Sequence, residues 1–348
     1  MRAGGESNEK NRPFPIILEI IQEEIKMWAF QMRMWLLLGA LFAIIYAMIV
    51  MIGTAMGLGS FYSYLVISFV MMFIQFMIGP KIVEWTMRVR YIKRDEDPAL
   101  FGMIEDQARR ADMPMPRVCV AQIGIPNAFA FGRGIRDGRV CVTEGIRRLL
   151  SQDELKAVIG HEITHLKNRD VITITLLSVI PMIMYRVAWH FLFYGGGRRR
   201  EHSGGNTAFI GLAAFLFYFV TNLLVLYASR IREYFADEGS VRLGNRPEAL
   251  ATALYKLVYG AARMDKASLK ETEGIKAFFI NDPSKALSEI RELSQLDMDR
   301  SGTIDPEELA RLRSKQVRLE FGDKLLEFLS THPNMLKRIQ HLSGLQIH

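Results

Sequence analysis

Two long stretches near the start of the chain contain no charged residue: Trp35 to Met56 and Phe61 to Ile78. Each is long enough to cross a hydrocarbon core of about 30 Å as a helix. Half of the residues are hydrophobic and the mean hydropathy is positive, which is above the usual range for soluble proteins. The sequence therefore predicts two transmembrane helices within residues 35–79, preceded by a polar and amphipathic segment at residues 1–34.

Basic residues flank these two stretches on their outer sides only. Lys26 and Arg33 precede the first stretch, the loop Gly57 to Ser60 has no basic residue, and five basic residues follow the second: Lys81, Arg88, Arg90, Lys93 and Arg94. Lys and Arg are in excess in cytoplasmic loops. We therefore expect a multi-pass protein of the cell (inner) membrane, with the part after Pro80 in the cytoplasm. This orientation accounts for the net charge of +7, and no nucleic-acid partner is expected because the basic residues are spread along the chain.

Two further apolar segments, residues 171–194 and 208–227, flank a linker rich in Gly and Arg. They predict a transmembrane hairpin at residues 171–227, between two halves of a cytoplasmic domain at residues 80–170 and 228–348. The linker then places three consecutive arginines outside, against the positive-inside rule, and Pro181, Arg186 and His190 interrupt the first segment. A hairpin partly embedded from the cytoplasmic side therefore stays open as an alternative.

The strongest chemical motif is His161-Glu162-Ile163-Thr164-His165. Ser151, followed three residues later by Glu154, is typical of a capping box, so we expect a helix that begins there and carries the motif. On that helix His161 and His165 are one turn apart on the same face, the spacing at which two imidazoles bind one small cation. Glu162 lies about 100° around the helix from His161, where a general base belongs.

A third ligand is expected downstream, because catalytic zinc usually has three protein ligands and an open position for water. The best supplier is the stretch Ser229 to Glu238, in which Glu233 and Asp237 are one helical turn apart. Glu233 is then the third ligand, and Asp237 accepts the free ring N–H of a ligating histidine. By itself, this charged stretch would more often be a solvated helix face with ion pairs between residues four apart; the upstream motif favours the ligand interpretation.

These motifs together resemble a known family. The run from His161 to Asp170, the run from Ser229 to Asp237 and the final Ser330-Thr-His-Pro333 occur in the order, and with the apolar separations, of the HtpX-type membrane-bound zinc metallopeptidases. The resemblance implies a gluzincin site in which His161, His165 and Glu233 bind one zinc ion and Glu162 is the catalytic base. It also places His332 at the catalytic cleft, where its ring could stabilise the oxyanion or a zinc ligand. The broader family includes the CAAX prenyl proteases, whose multi-spanning architecture this shorter chain does not match well, and a relative of these proteases is an alternative function.

The first half of the cytoplasmic domain contains the predicted β-structure. Pro98 to Ala111 is expected to be a helix, Arg117 to Ile123 a strand, and Asn127 to Phe131 with Arg139 to Thr143 a hairpin closed at Asp137-Gly138. The resemblance suggests that a strand with the substrate-binding residues Asn127, Ala128, Phe129 and Ala130 lines the cleft, where an extended peptide could add to an open edge. The alternative is an ordinary buried hairpin strand. Cys119 and Cys141 are expected to be buried free thiols.

Residues 297–308 match the calcium-binding loop of an EF-hand. The expected ligands are Asp297, Asp299, Ser301, the Thr303 carbonyl, Asp305 through water and a bidentate Glu308, with Gly302 at the sharp turn. Ser301 departs from the usual Asp or Asn. A simpler alternative explains part of the pattern, because Asp305 as N-cap, Pro306 at the first position and Glu308 after them would begin a helix without any ion.

The fold class expected from these elements is mainly α with a small β-sheet, in a multi-span membrane protein that carries a cytoplasmic zincin-like protease domain. The expected function is zinc-dependent cleavage of misfolded or damaged membrane proteins, with calcium as a second ion that could modulate it. An intramembrane protease fits less well because charged residues flank the His161 motif. A non-catalytic calcium-responsive membrane adaptor is the alternative outside enzymology. Oligomeric state does not follow from the sequence.

Overall fold

The computed structural model describes residues 61–170, 204–262, 301–314 and 332–345, together with positions 44, 46, 47, 51, 293, 296–299 and 330. The first predicted transmembrane helix, apart from four of its positions, lies outside these residues. So do the N-terminal segment, the apolar segment 171–194 and the linker that follows it. The prediction of a mainly helical protein with a small sheet is confirmed; the multi-span architecture stays a prediction.

The second apolar stretch forms helix α1, Phe61–Thr86, which is longer than the predicted segment ending at Ile78. The helix continues through Pro80 because its last turns pack on the sheet, where Val83 and the following Met87 are buried. Its outward face remains apolar and exposed, and Trp85 at the end of this face is 85% exposed. These exposed apolar side chains are what a helix facing lipid requires.

A mixed four-stranded sheet follows, with strands β1 (Val89–Tyr91), β2 (Arg117–Ala121), β3 (Ala128–Phe131) and β4 (Arg139–Thr143). The strand order is β1-β2-β4-β3, in which β2 and β4 are parallel and the other two pairs are antiparallel. Helix α2, Pro98–Arg110, precedes β2 as predicted and is capped by Asp97. Strand β3 therefore lies at one edge of the sheet. Cys119 and Cys141 are buried free thiols in adjacent strands, as expected.

The connection between β3 and β4 differs from the predicted tight turn at Asp137-Gly138. It runs from Gly132 to Gly138 and contains a 3₁₀ turn, Ile135–Asp137. Gly132 has φ +151°, and a Cβ there would lie 2.3 Å from the Asp137 carbonyl oxygen. Asp137 is held by Arg117, Arg133 and Arg139 at 2.7, 2.8 and 3.0 Å. The turn prediction was wrong because these ion pairs and the glycine fold the chain back earlier than Asp137-Gly138.

The remaining helices build the rest of the domain: α3 (Glu144–Leu149), α4 (Gln152–Lys167), α5 (Gly204–Arg242), α6 (Pro247–Ala262), α7 (Pro306–Ser314) and α8 (Met335–Ser343). Helix α4 lies at the centre and packs on α2, α5, α6 and the edge strand β3. Nearly every residue of α4 from Glu154 to Leu166 is buried. The motif helix is thus the core of the domain.

Helix α5 has two parts with different surroundings. Its first half exposes large apolar side chains, among them Phe209, Leu212 and Phe219, while its second half is buried against α4. The segment Gly211–Arg242 is the one helix in the described part of the chain that is long and apolar enough to cross a membrane. It includes most of the predicted segment at residues 208–227.

Candidate metal-binding active site

The capping box predicted for the motif helix is present. The Ser151 N–H donates to the Glu154 carboxylate at 3.0 Å, and the Glu154 N–H donates to Ser151 Oγ at 3.5 Å. Glu154 also binds Lys256 of α6 at 2.8 and 3.0 Å. The start of α4 is therefore fixed both by its own cap and by a neighbouring helix.

Two glycines let α4 and α5 approach closely beside the motif. A Cβ at Gly239 of α5 would lie 2.2 Å from the Thr164 side chain, and one at Gly160 of α4 would lie 3.0 Å from Ser240 Oγ of α5 and 2.3 Å from the Asn245 side chain just after α5. Any larger side chain at either position would push the helices apart. The close approach brings side chains from the two helices into one cluster.

That cluster contains the three predicted zinc ligands. His161 Nε2 lies 3.1 Å from His165 Nε2, and each of these nitrogens lies 3.6 Å from a carboxylate oxygen of Glu233. All three residues are buried. Ligand atoms at the corners of a zinc tetrahedron, with bonds near 2.0–2.1 Å, are separated by about 3.3 Å. The three side chains are therefore spaced as ligands of one ion.

The outer ring nitrogens of both histidines face carboxylates. His161 Nδ1 lies 2.9 Å from Asp237, the residue predicted for this place. His165 Nδ1 lies 2.9 Å from Asp170, a role that the sequence reasoning did not assign. Asp170 reaches the ring because the chain turns just after α4, where Arg169 has φ +59°. The one sequence feature that could have indicated this role is that Asp170 follows His165 by only five residues.

This hydrogen bonding tests whether the cluster fits a metal ion. When the rings are neutral, as metal ligation requires, a carboxylate beside each Nδ1 keeps the proton there, so both Nε2 atoms present lone pairs. Two lone pairs and a carboxylate then face one another in a buried space. Oε2 of Glu233 has ion-pair contacts but no aligned hydrogen-bond donor among the described residues. Three facing acceptors repel one another unless a cation lies between them, and two His with one Glu is a ligand set that catalytic zinc uses.

Glu162 lies beside this cluster without belonging to it. Its carboxyl group is buried and accepts the backbone N–H of Ala130 on the edge strand. Burial raises the pKa of Glu162, although the His161 and His165 imidazoles oppose that shift. For His165, burial alone would lower the pKa, but the carboxylates of Asp170 and Glu233 outweigh it and raise the pKa to about 10. Without a metal ion a proton therefore occupies this ring, and zinc would have to displace it. A carboxyl group whose pKa is shifted toward neutrality is suited to accept and return a proton.

Two residues from the C-terminal part of the chain complete the surroundings. His332 is buried, and its Nδ1 lies 3.5 Å from Oε2 of Glu233. Arg338, which the sequence reasoning missed, binds both oxygens of Asp237 at 2.7 and 2.9 Å and lies 3.0 Å from Glu233. An arginine in an amphipathic helix is normally solvated, so only the fold brings it to the cluster.

The predicted substrate strand lies next to the motif helix. Asn127 pairs with Thr143 of β4 through its carbonyl oxygen at 2.9 Å, so the backbone groups of Ala128 and Ala130 point away from β4. Ala128 and Phe129 are buried, and Ala130 is partly exposed. The structure thus leaves one edge of β3 without a strand partner in the described part of the chain, and this edge faces Glu162.

The acidic loop at residues 297–308 brings Asp297, Asp299 and Glu308 within 4.8 Å of one another. Its oxygens already accept backbone N–H groups: Ser301 and Gly302 donate to Asp297, Ser301 also to Asp299, and Met298 to Glu308, at 2.7–2.9 Å. Asp305 and Glu308 form a reciprocal cap at 2.8 and 3.1 Å. Helix α7 begins as the capped-helix alternative predicted. Gly302 has φ +78°, as a sharp turn requires.

The remaining loop positions lie on the exposed side of this turn. Ser301 Oγ contacts both oxygens of Thr303, at 2.9 Å from the hydroxyl and 3.3 Å from the carbonyl. The Thr303 carbonyl therefore already has a donor. The loop is fixed to the domain through Tyr255, whose hydroxyl donates to Asp297 at 2.9 Å.

Comparison with known sequences decides the family. The sequence model of Peptidase family M48 matches residues 94–346. The chain belongs to peptidase family M48. A protease HtpX homolog from Methanothermobacter thermautotrophicus is 46% identical over 68% of this chain and 91% of the relative. One from Moorella thermoacetica is 31% identical over 80% of this chain and 82% of the relative.

A solved structure of Ste24p from S. mikatae aligns with 91% of this chain and 67% of its own, at 18% identity and a TM-score of 0.45. The expected resemblance to HtpX-type metallopeptidases is confirmed by the M48 match and the relatives, and so is the prediction of a metalloprotease. Family membership implies a metal, usually zinc, and polypeptide substrates. Together with the long apolar helix, it supports a location at the membrane.

Proposed function

We propose that this M48 protein is a membrane-anchored zinc endopeptidase that cleaves misfolded or damaged membrane proteins at the cytoplasmic face. The single observation that carries the proposal is the buried cluster of His161, His165 and Glu233, in which three acceptors face one another at 3.1–3.6 Å. A bound zinc ion would supply a Lewis acid that activates water and polarises a peptide carbonyl. The surrounding side chains would transfer protons, stabilise the oxyanion and bind the substrate.

Glu162 is proposed as the general base and acid. Its buried carboxyl group lies next to the ligand cluster and has a raised pKa, so it can take a proton from water and return it to the leaving amine. The Ala130 N–H that it accepts holds its carboxylate toward the edge strand. Proton transfer would then occur where strand and ligand cluster meet.

His332 is proposed to stabilise the oxyanion. It is buried beside Glu233, and neither of its ring nitrogens has a hydrogen-bond partner in the described part of the chain. An imidazole with free ring atoms beside the reacting carbonyl can donate to developing negative charge.

His332→Gln is expected to lower kcat roughly 10²-fold or more while leaving KM nearly unchanged. An equal rise in KM with unchanged kcat would contradict this role.

The substrate is proposed to bind as an extra strand along Asn127, Ala128, Phe129 and Ala130. Their edge of the sheet has no strand partner among the described residues and faces Glu162. An extended peptide could pair with the outward backbone groups of Ala128 and with the Ala130 carbonyl, since the Ala130 N–H donates to Glu162, and this pairing would present its scissile bond to the cluster. A peptide N-methylated at the pairing positions should have a raised KM, whereas methylation at the alternate positions should not.

The proposed catalytic role is tested by Glu162→Gln. The variant should retain zinc and lose cleavage of an unfolded membrane protein by roughly 10²–10⁴-fold. Glu144→Gln is the matched control, since Glu144 lies on α3 and contacts Arg147 at 3.6 Å, away from the cluster. Full cleavage by Glu162→Gln would reject the proposed mechanism. The non-catalytic adaptor alternative, which predicts no effect, already disagrees with membership in a peptidase family.

The cytoplasmic orientation of the site and its substrates is a proposal from the charge pattern around α1. Asp153 offers a test, because its side chain is 72% exposed at the start of α4 and both native cysteines are buried. Asp153→Cys should react with a membrane-impermeant thiol reagent in inverted vesicles and not in intact cells. Labelling in intact cells would place the domain on the opposite face.

Calcium binding by the loop at residues 297–308 is a further proposal, supported by the three carboxylates within 4.8 Å of one another. Calcium would have to replace the N–H donors that these oxygens now accept. Wild-type Tm should rise with calcium, and Asp299→Ala should abolish the rise, because Asp299 is exposed and contributes little to the fold. Equal Tm values of the wild type with and without calcium would contradict calcium binding, and the capped helix would be the only remaining explanation of the loop.

A further inference from the structure

Arg338 on α8 is a fully buried cation beside the ligand cluster. Its Nε and Nη2 donate to the two oxygens of Asp237 at 2.9 and 2.7 Å, and its Nη1 lies 3.0 Å from Oε2 of Glu233. The planar guanidinium fork matches a carboxylate in two places, which a lysine cannot do. One side chain thus fixes two carboxylates that are one turn apart on α5.

The two carboxylates hold opposite sides of the same imidazole. Glu233 lies 3.6 Å from Nε2 of His161, whereas Asp237 lies 2.9 Å from its Nδ1. Asp237 therefore sets the ring orientation and the proton position of His161, while Glu233 is its fellow ligand. Because Arg338 binds both acids, its position determines how these three groups meet.

Charge balance gives Arg338 a second effect on the same groups. Among the residues that the structure describes, six ionisable side chains other than histidine are buried around the cluster: Glu162, Asp170, Glu233 and Asp237 as acids, with Arg232 and Arg338 as bases. Without Arg338, Glu233 and Asp237 would repel each other in a medium of low dielectric constant.

We propose that Arg338 is a positioning residue for the metal centre, holding Glu233 as a ligand and Asp237 as the acceptor for His161. It contacts neither metal nor substrate and acts through the two carboxylates. The inference rests on the proposed ligand set of His161, His165 and Glu233. The competing explanation is that Arg338 only fastens α8 to α5, which would cost stability and leave the zinc affinity of the folded protein unchanged.

Zinc affinity of the full-length protein in detergent, measured by competition with a chromophoric chelator, separates these explanations. Arg338→Met should bind zinc roughly 10–100-fold more weakly. Arg338→Lys should lose less, because it keeps the charge without the fork. Arg139→Met is the matched control, since Arg139 is as deeply buried and ion-paired, but with Asp137 and Glu84 at 3.0 and 3.2 Å. It should lower Tm and leave zinc affinity within about twofold.

A double-mutant cycle tests the route through Asp237. Asp237→Asn combined with Arg338→Met should weaken zinc binding by less than the product of the two single effects, because both changes disturb one contact. Independent effects would overturn the proposal. Wild-type zinc affinity in folded Arg338→Met would also overturn it, and Arg338→Lys decides the matter if the methionine variant does not fold.

His161→Ala distinguishes failure of the inference from failure of the proposed site. If His161→Ala keeps zinc, the ligand set itself is wrong. If His161→Ala loses zinc while both Arg338 variants bind it as the wild type does, only the positioning role is wrong.

Discussion

Two clusters in the described part of the chain bring three metal-capable side chains within 4.8 Å of one another, and they differ in what their ligand atoms already contact. At His161, His165 and Glu233 the inward atoms are acceptors that face one another. At Asp297, Asp299 and Glu308 every carboxylate accepts backbone N–H groups of its own loop. In the first cluster the facing acceptors repel one another unless a metal ion or a ring proton lies between them, whereas the carboxylates of the second cluster already have hydrogen-bond donors.

The outer contacts of the first cluster strengthen this difference. Asp237 and Asp170 hold protons on the outer ring nitrogens of the two histidines at 2.9 Å, so the acceptors are directed inward. The acidic loop has no such arrangement, because its backbone N–H groups donate to the same carboxylate oxygens that would bind a metal ion. Ligand spacing is thus insufficient to define a metal site, and the hydrogen bonds to the ligand atoms must be counted as well.

Metal removal should give the largest contrast between the two clusters. A zinc chelator is expected to abolish proteolysis and, where zinc had been present at about 1,000 times its Kd, to remove roughly 4 kcal/mol of stability. Adding zinc back should restore both. A chelator selective for calcium should leave proteolysis intact. Loss of activity with the calcium chelator alone would show that the loop, and not the His cluster, carries the essential ion.

Asp170→Asn should weaken zinc binding at the first cluster. The amide no longer fixes the proton on His165 Nδ1, so zinc affinity should fall roughly 10–100-fold. Asp153→Asn at the start of α4 is the control, because Asp153 is 72% exposed and contacts Arg246. Isothermal titration of both variants with zinc gives the comparison, and equal affinities would remove Asp170 from the metal centre.

Asp297→Ala should have a moderate effect that does not depend on metal. Its carboxylate accepts from Ser301, Gly302 and the Tyr255 hydroxyl, each at 2.9 Å. Losing these bonds should lower the free energy of unfolding by about 1–3 kcal/mol in calcium-free buffer. Chemical denaturation measures the change. An unchanged free energy without calcium would mean that the loop is not held by its own hydrogen bonds.

Ser151→Ala should give the smallest change. It removes the helix cap of α4 at the end away from the cluster, and a lost cap costs about 1 kcal/mol of stability. The kcat of the folded enzyme should stay the same, as thermal denaturation and activity assays on one preparation would establish. A large fall in kcat would show that the cap controls the geometry of the motif.

The sequence predicted those features that depend on neighbours along the chain. The capping box of α4, the one-turn spacing of His161 and His165, and the helix beginning at Pro98 all follow from local patterns, and the structure has them. Pairing of β3 with β4 was also predicted, from two short apolar runs joined by a turn signal, and the structure has it. The connection between these strands did not, because ion pairs of Asp137 with three arginines decide it.

The features that were missed depend on distant contacts. Arg338 is separated by about a hundred residues from Asp237, and nothing local distinguishes it from the solvated Lys and Arg residues of similar helices. Asp170 was visible as part of the motif run but needed the turn at Arg169 to acquire a role. Burial of a charged side chain depends on the fold, so the roles of Arg338 and Asp170 could be inferred only once the packing of the helices was known.

The central claim is that His161, His165 and Glu233 together hold one zinc ion. Zinc content per chain, measured by mass spectrometry on purified wild-type protein and on Glu233→Ala, tests it most directly. The account predicts close to one zinc ion per wild-type chain and loss of that ion from the folded variant. Equal zinc content in folded wild type and Glu233→Ala would contradict it.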